Sequence, residues 1–265
     1  MQERIQDDTI TTEGIMAKVI TVAQQKGGAG KTTVTTHIAV ALSQKGNRVS
    51  IVDIDPQGST GHWHNVREEK LGEGYTGLTF TSVSGWRVAS EISRLRKQSD
   101  YIVIDSPPHT ETEARTAIRS ADLVIIPVQP SPTDLWATQA TLNLAKAEKV
   151  PVRVVLNRVP ANSRLAQTIA AQLPELAETT LGNRVLFAAS LMEGRTATEV
   201  DPSSTAAQEI KALVKEILSV FPKEESEEDE APVVAKSKKS ERAGLKPFVA
   251  AFDFLRHRCA DGQRM

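Results

Sequence analysis

Three groups of residues in this chain have types and spacings that can do chemistry. The first is Gln25-Lys26-Gly27-Gly28-Ala29-Gly30-Lys31-Thr32-Thr33, where glycines alternate with two lysines and lead into hydroxyls. Glycines let a backbone curl until successive N–H groups face one anion. A helix opening at Lys31 would add the positive end of its dipole. The lysine and hydroxyl then have set tasks: Lys31 reaches the β- and γ-phosphates of a nucleotide, and Thr32 ligates Mg²⁺. The general phosphate-loop pattern asks for a glycine six residues before Lys31, but Gln25 stands there, so the loop is a variant. Lys26 sets a second cation beside the place where γ-phosphate charge would lie.

The second group is carboxylates that follow apolar runs. Val49-Ser-Ile-Val-Asp53-Ile-Asp55-Pro-Gln-Gly-Ser59 ends in a Pro/Gly loop, and Tyr101-Ile-Val-Ile-Asp105-Ser-Pro-Pro108 ends the same way. In an open α/β sheet the strand C-termini gather around one crevice, so both acids are expected to face the glycine-rich loop. Mg²⁺ keeps several of its waters, and carboxylates often hold it through them. Of the acids in the first segment, Asp55 is favoured over Asp53. The third group is Asn157, which ends Val154-Val-Leu-Asn157. Its amide could pair with an adenine edge, or it could simply be a turn residue.

The elements that must position these residues are legible as alternation. Val/Ile-rich runs at Val19–Ala23, Val49–Asp53, Tyr101–Asp105, Leu123–Val128, Val152–Asn157 and Val185–Phe187 read as strands buried on both faces. Helix-like stretches lie between them at Thr32–Lys45, Trp86–Lys97, Glu111–Arg119, Thr133–Lys149 and Ser163–Leu173, with a last one at Ser204–Val220. This predicts an α/β fold, a doubly wound and mostly parallel sheet of the P-loop NTPase type, over residues 18–221.

Composition bounds the rest. The 265 residues are 40% hydrophobic and carry a net charge of −1, so affinity for nucleic acid would need a local basic patch. The single cysteine, Cys259, leaves no intrachain disulfide and no cysteine-built metal site. No apolar run approaches the ~20 residues that span a bilayer. Residues 1–17 read as a flexible arm, not a secretory signal. Residues 222–244 read as a charged linker, acidic from Glu224 to Glu230 and basic from Lys236 to Arg242. Residues 245–265 hold Phe248, Phe252, Leu255 and Cys259 at helical spacing, an amphipathic segment fit to dock on a partner, on its own core or on a membrane surface.

The loop resembles the deviant Walker A motif, Lys-Gly-Gly-x-Gly-Lys-Ser/Thr, of the ParA/MinD group of ATPases. The resemblance covers Lys18 to Phe221, and Pro130-Ser-Pro-Thr-Asp-Leu-Trp-Ala137 and Ala206-Ala-Gln-Glu-Ile-Lys-Ala-Leu213 look like the smaller ParA-type partition ATPases. Gln25 before Lys26 leans the same way. Iron–sulfur relatives need cysteines that the core lacks. The short N-terminal arm argues against the larger type with a helix-turn-helix domain.

The resemblance implies ATP and Mg²⁺ as ligands, and a homodimer that sandwiches ATP with Lys26 reaching the partner's phosphates. It also implies Asp55 as the residue that positions or activates the attacking water and stands with Thr32 at the metal, and Asp105 as the holder of a magnesium-bound water. It further implies slow hydrolysis stimulated by a ParB-like or cargo-adaptor protein. The ATP-bound dimer would bind DNA without sequence preference, in a cytoplasmic, nucleoid-associated state. Arg195, Lys211 and Lys215 are the named DNA-binding candidates, with Arg158, Arg164 and Arg184 beside them; each could equally be a solvated surface charge. The competing reading is a MinD-like membrane-associated ATPase using the C-terminal segment.

Overall fold

Val and Ile dominate the apolar runs, and side chains that alternate across a strand must find cover on both faces. In the computed structural model, which describes residues 16–222 apart from 73, 75, 109 and 110, they do so in one sheet. Its strands are β1 Lys18–Val22, β2 Val49–Asp53, β3 Thr79–Ser82, β4 Tyr101–Asp105, β5 Leu123–Val128 and β6 Val152–Leu156. All pair in parallel, in the order β3-β2-β4-β1-β5-β6.

Ile20, Val22, Ile51, Val103 and Ile125 pack with helices α1 Lys31–Ser43, α7 Val185–Met192 and α9 Thr205–Val220. The residues between them face the opposite layer. Val19, Val52, Ile102 and Ile104 meet α3 Val88–Leu95 and α4 Glu111–Arg119, while Val124, Ile126 and Val154 meet α5 Pro132–Ala147. Three further α-helices, α2 Ser59–Leu71, α6 Arg164–Ala170 and α8 Ala197–Val200, and a 3₁₀ turn at Gly85–Arg87 complete the helical elements of the described residues.

The chain leaves β1 towards β2 on one side, yet the connection from β4 passes over β1 to reach β5 on the other. Such a reversal opens a crevice at the strand C-termini, and the glycine-rich loop leaves β1 at that point. Register then aligns the acids: Asp105 pairs with Val22 on one neighbour and with Asp53 on the other.

Two expectations about the elements need correction. Val185–Phe187 is not a strand but the start of α7, because the apolar run continues through Ala188, Ala189 and Leu191 with helical packing. The sixth strand is instead Thr79–Ser82, an edge strand whose polar composition hides it. His62 and His64 lie on α2 with Trp63. The expected strands Val49–Asp53, Tyr101–Asp105 and Leu123–Val128 are found with those bounds. The expected charged linker beyond Pro222, the C-terminal segment, and all but Met16 and Ala17 of the N-terminal arm lie outside the described residues. Among the described residues, no helix is long and apolar enough to cross a membrane.

Candidate nucleotide site

The loop between β1 and α1 turns on two left-handed glycines, Gly28 at φ 77° and Gly30 at φ 96°. Gly30 caps α1, and its carbonyl accepts the first helical bond from Val34 N–H at 2.9 Å. A side chain is excluded at Gly30 twice over: by the sign of φ, and by Asn157 Nδ2, 2.3 Å from where a Cβ would stand.

Side chains from neighbouring strand ends hold the loop carbonyls. Gln129 donates to Gly28 O at 2.7 Å, and Asn157 donates to Ala29 O at 2.8 Å. In a trans peptide the N–H points opposite to its carbonyl. The N–H groups of Ala29 and Gly30 are thereby directed away from these braces, as an anion-binding loop requires.

At the foot of the loop, Asp105 is almost fully buried. Its Oδ2 accepts from Thr32 Oγ1 at 2.7 Å and from Thr60 Oγ1, on α2, at 2.6 Å. Burial pushes its carboxyl up to about 6, opposed by the two hydroxyls. Lys31 is buried as well, and desolvation lowers its pKa against the pull of Asp105 and Asp55. Asp55 is half-buried and closes a tight turn by accepting from Gln57 N–H at 2.9 Å. A buried carboxylate that meets only hydroxyl donors, beside a lysine weakened by burial, suits a site completed by a cation and a polyanion. Thr32 and Asp105 fit the role of holding Mg²⁺.

Lys26 does not turn towards this foot. Its Nζ lies 2.5 Å from Asp134 Oδ2 and 3.3 Å from Thr133 Oγ1, on the first turn of α5. Asp134 is buried, and Ser131 Oγ also donates to it at 2.5 Å. Sequence reasoning missed Asp134, Gln129 and Thr60. The Ser131-x-x-Asp134 spacing signals a helix cap, but nothing in it points to Lys26, far off along the chain.

The Asn157 amide braces Ala29 O and accepts from Arg158 N–H at 2.9 Å. Beside it opens a cavity of about 490 Å³, lined by Thr33, Asn157, Asn183, Val185 and Ala189 among others. An apolar helix face opposite polar side chains at the start of α1 is suited to a nucleotide base.

The basic candidates scatter in their commitments. Lys211 and Lys215 are exposed on α9, with Lys211 Nζ donating to Pro202 O at 2.8 Å. Arg195 is partly covered and donates to Glu199 O at 2.7 Å. Arg184 is paired with Glu209 at 2.7 Å. Arg158 and Arg164 are exposed.

A parallel sheet with a reversal at β1, and a glycine-rich loop braced above a buried aspartate, define a nucleotide-binding protein of the phosphate-loop class. Within that class the chain belongs to the CobQ/CobB/MinD/ParA nucleotide binding domain family, whose model matches residues 20–220. It is 27% identical over 213 residues to the maintenance of carboxysome distribution protein A of Halothiobacillus neapolitanus, covering 76% of this chain and 97% of that one. It is 28% identical to the chromosome-partitioning ATPase Soj of Thermus thermophilus, covering 77% and 98%. The fold matches MinD complexed with Mg-ADP from Pyrococcus horikoshii, at TM-score 0.66 and 22% identity, over 77% of this chain and 97% of that one. It also matches an ATP complex of McdA from Cyanothece, at TM-score 0.65 and 18% identity, over 80% and 100%.

Proposed function

We infer that this chain is a slow, dimerising Mg-ATPase that binds DNA without sequence preference and positions an intracellular cargo, its hydrolysis stimulated by a cargo-borne partner. The observation that carries the reading is the second lysine. Lys26 stands on the nucleotide loop yet is held outside the Lys31–Asp105 foot, on Asp134. A cation parked beside a complete phosphate site is available to another subunit's phosphates.

In this reading Lys31 and the loop N–H groups bind the β- and γ-phosphates. Asp55 orients the attacking water, and its partial exposure leaves the carboxylate free to do so. Thr32 and Asp105 hold Mg²⁺, which supplies charge neutralisation at the phosphates when bound. Lys26 leaves Asp134 as two subunits close, and adds its charge to the γ-phosphate of the neighbouring site. Thr60 couples α2 to Asp105, so a change at the phosphates can reach the loop bearing Asp55. The positioning role follows from relatives named for carboxysome distribution and chromosome partitioning.

The test is co-sedimentation of the purified protein with DNA of unrelated sequences, in ATP, in ADP and without nucleotide, alongside phosphate release. Binding in ATP alone, to every sequence, supports the reading. Slow hydrolysis without DNA binding in any state would remove the DNA step and direct attention to anionic vesicles.

A further inference from the structure

Asp53 is the acid of the Asp53-Ile54-Asp55 pair that the proposed chemistry leaves without a task, and it is fully buried at the end of β2. Each of its carboxylate oxygens has one backbone partner. Oδ1 accepts from Asp55 N–H at 3.0 Å, and Oδ2 accepts from Gly61 N–H at 3.2 Å. The first N–H is that of Asp55 itself and the second lies in the first turn of α2, so the two bonds bracket the turn that carries Asp55. The same side chain therefore closes the loop on itself.

Everything around the clasp is fixed. The backbone of Asp53 is locked between strands: Val83 N–H donates to its carbonyl at 3.0 Å, and its register partners are Asp105 and Ser82. Ile54 N–H donates to Asp105 O at 3.1 Å. Between the clasped ends, the turn at Pro56, Gln57 and Gly58 is partly or fully exposed. A fully buried carboxylate is costly to keep, and a core hydrophobe would fill its place more cheaply. Its two backbone bonds are what this acid supplies.

The geometry points to Asp53 as a positioning residue, which sets the Asp55 carboxylate by holding both ends of its loop without itself touching the nucleotide. This rests on the ATPase reading above. Removing one bond of the clasp should leave phosphate binding intact, because Lys31 and the glycine loop are untouched, while Asp55 loses its fixed place.

The experiment compares the full chain with Asp53→Asn, which keeps the volume and one acceptor but turns an N–H donor towards a backbone N–H. Steady-state hydrolysis and binding of a fluorescent ATP analogue are measured on both, after thermal unfolding shows that the variant is folded. The expected result is a fall in kcat of about tenfold or more, with KM and analogue affinity within about threefold. A kcat equal to that of the unaltered chain, or a loss of affinity matching the loss of rate, overturns the assignment. Absence of hydrolysis in the unaltered chain would instead sink the ATPase reading. Should the variant not fold, amide exchange by NMR on the unaltered chain decides. The Asp55 and Gly61 amides should exchange at least about tenfold more slowly than that of Ser59, and equal rates would refute the clasp.

Discussion

Lys26 Nζ and Asp134 Oδ2 lie 2.5 Å apart and join the nucleotide loop to the first turn of α5. The lysine side chain is 36% exposed and the acid 1%, so the acid is fixed and the lysine is the mobile partner. An ion pair of this kind contributes about 1 kcal/mol. It weighs against any state in which Lys26 serves another subunit.

Replacing Asp134 by Asn keeps a polar group for the Ser131 and Gln129 bonds and removes the charge that holds Lys26. ATP-dependent dimers should then form at about fivefold lower protein concentration. Sedimentation velocity over a concentration series checks this. A dimer no stronger than that of the unaltered chain would mean that Lys26 keeps Asp134 in the dimer.

Gly30→Ala meets both a left-handed φ and the Asn157 amide. The backbone term alone is about 1–2 kcal/mol. ATP affinity should fall by about tenfold or more, read by titration calorimetry. Adding Asn157→Ala removes the clash but also the brace on Ala29, so the double variant should not regain full affinity.

Asp105 ties stability to pH with a defined sign. Its pKa is about 6 in the fold against 3.8 for the free group, so between these values the native state holds a proton that the unfolded chain has lost. Stability therefore falls as pH rises through 4 to 6, by about 3 kcal/mol at most. Asp105→Asn should make the nucleotide-free protein more stable than the unaltered chain at pH 8 and equal to it near pH 4. Stabilisation by Mg-ATP should be lost. Urea unfolding with and without Mg-ATP measures both.

His37 works in the opposite direction. Its Nδ1 meets Thr33 O at 2.7 Å, and its Nε2 accepts Ala197 N–H at 3.1 Å. A second proton would set donor against donor, and burial pushes the pKa down to about 4. The unfolded chain binds that proton near 6.5, so stability should drop by about 3 kcal/mol as pH falls from 7 to 4. His37→Gln should flatten this limb of the unfolding curve, and an unaltered limb would assign it to other groups.

Lys211 and Lys215 stand one turn apart on an exposed face of α9. Reversing both to Glu should weaken DNA binding and lower the log–log salt slope by about 2. Binding measured from 50 to 200 mM salt would reveal it; an unaltered slope would take α9 out of the DNA face.

The phosphate loop, Asp105 and most of the sheet were legible because each is local: glycine spacing, or a Val/Ile run ending in a polar turn. What escaped depends on partners distant in sequence. Thr79–Ser82 is polar, with half-buried Phe80 in its middle, and only pairing with β2 makes it a strand. The run at Val185 was too short to separate a period of two from one of 3.6. Arg67 shows the same limit at its strongest. It reads as one charge among several on α2, yet it is buried, grips Glu199 with two bonds of 2.7 and 3.0 Å, and donates to Thr76 O and Gly194 O. No local pattern announces an arginine with that many long-range partners.

The row formed by Val22, Asp105 and Asp53 across β1, β4 and β2 makes nucleotide retention a proofreading signal for the sheet. A slip of one residue between β4 and β2 would flip the side chains of one strand to its other face. The acid on that strand would then leave its hydroxyl or backbone partners, and the crevice would lose part of its floor. A chain paired one residue out of register would therefore bind nucleotide poorly. Nucleotide affinity reports the quality of a refolded preparation, independently of any activity assay.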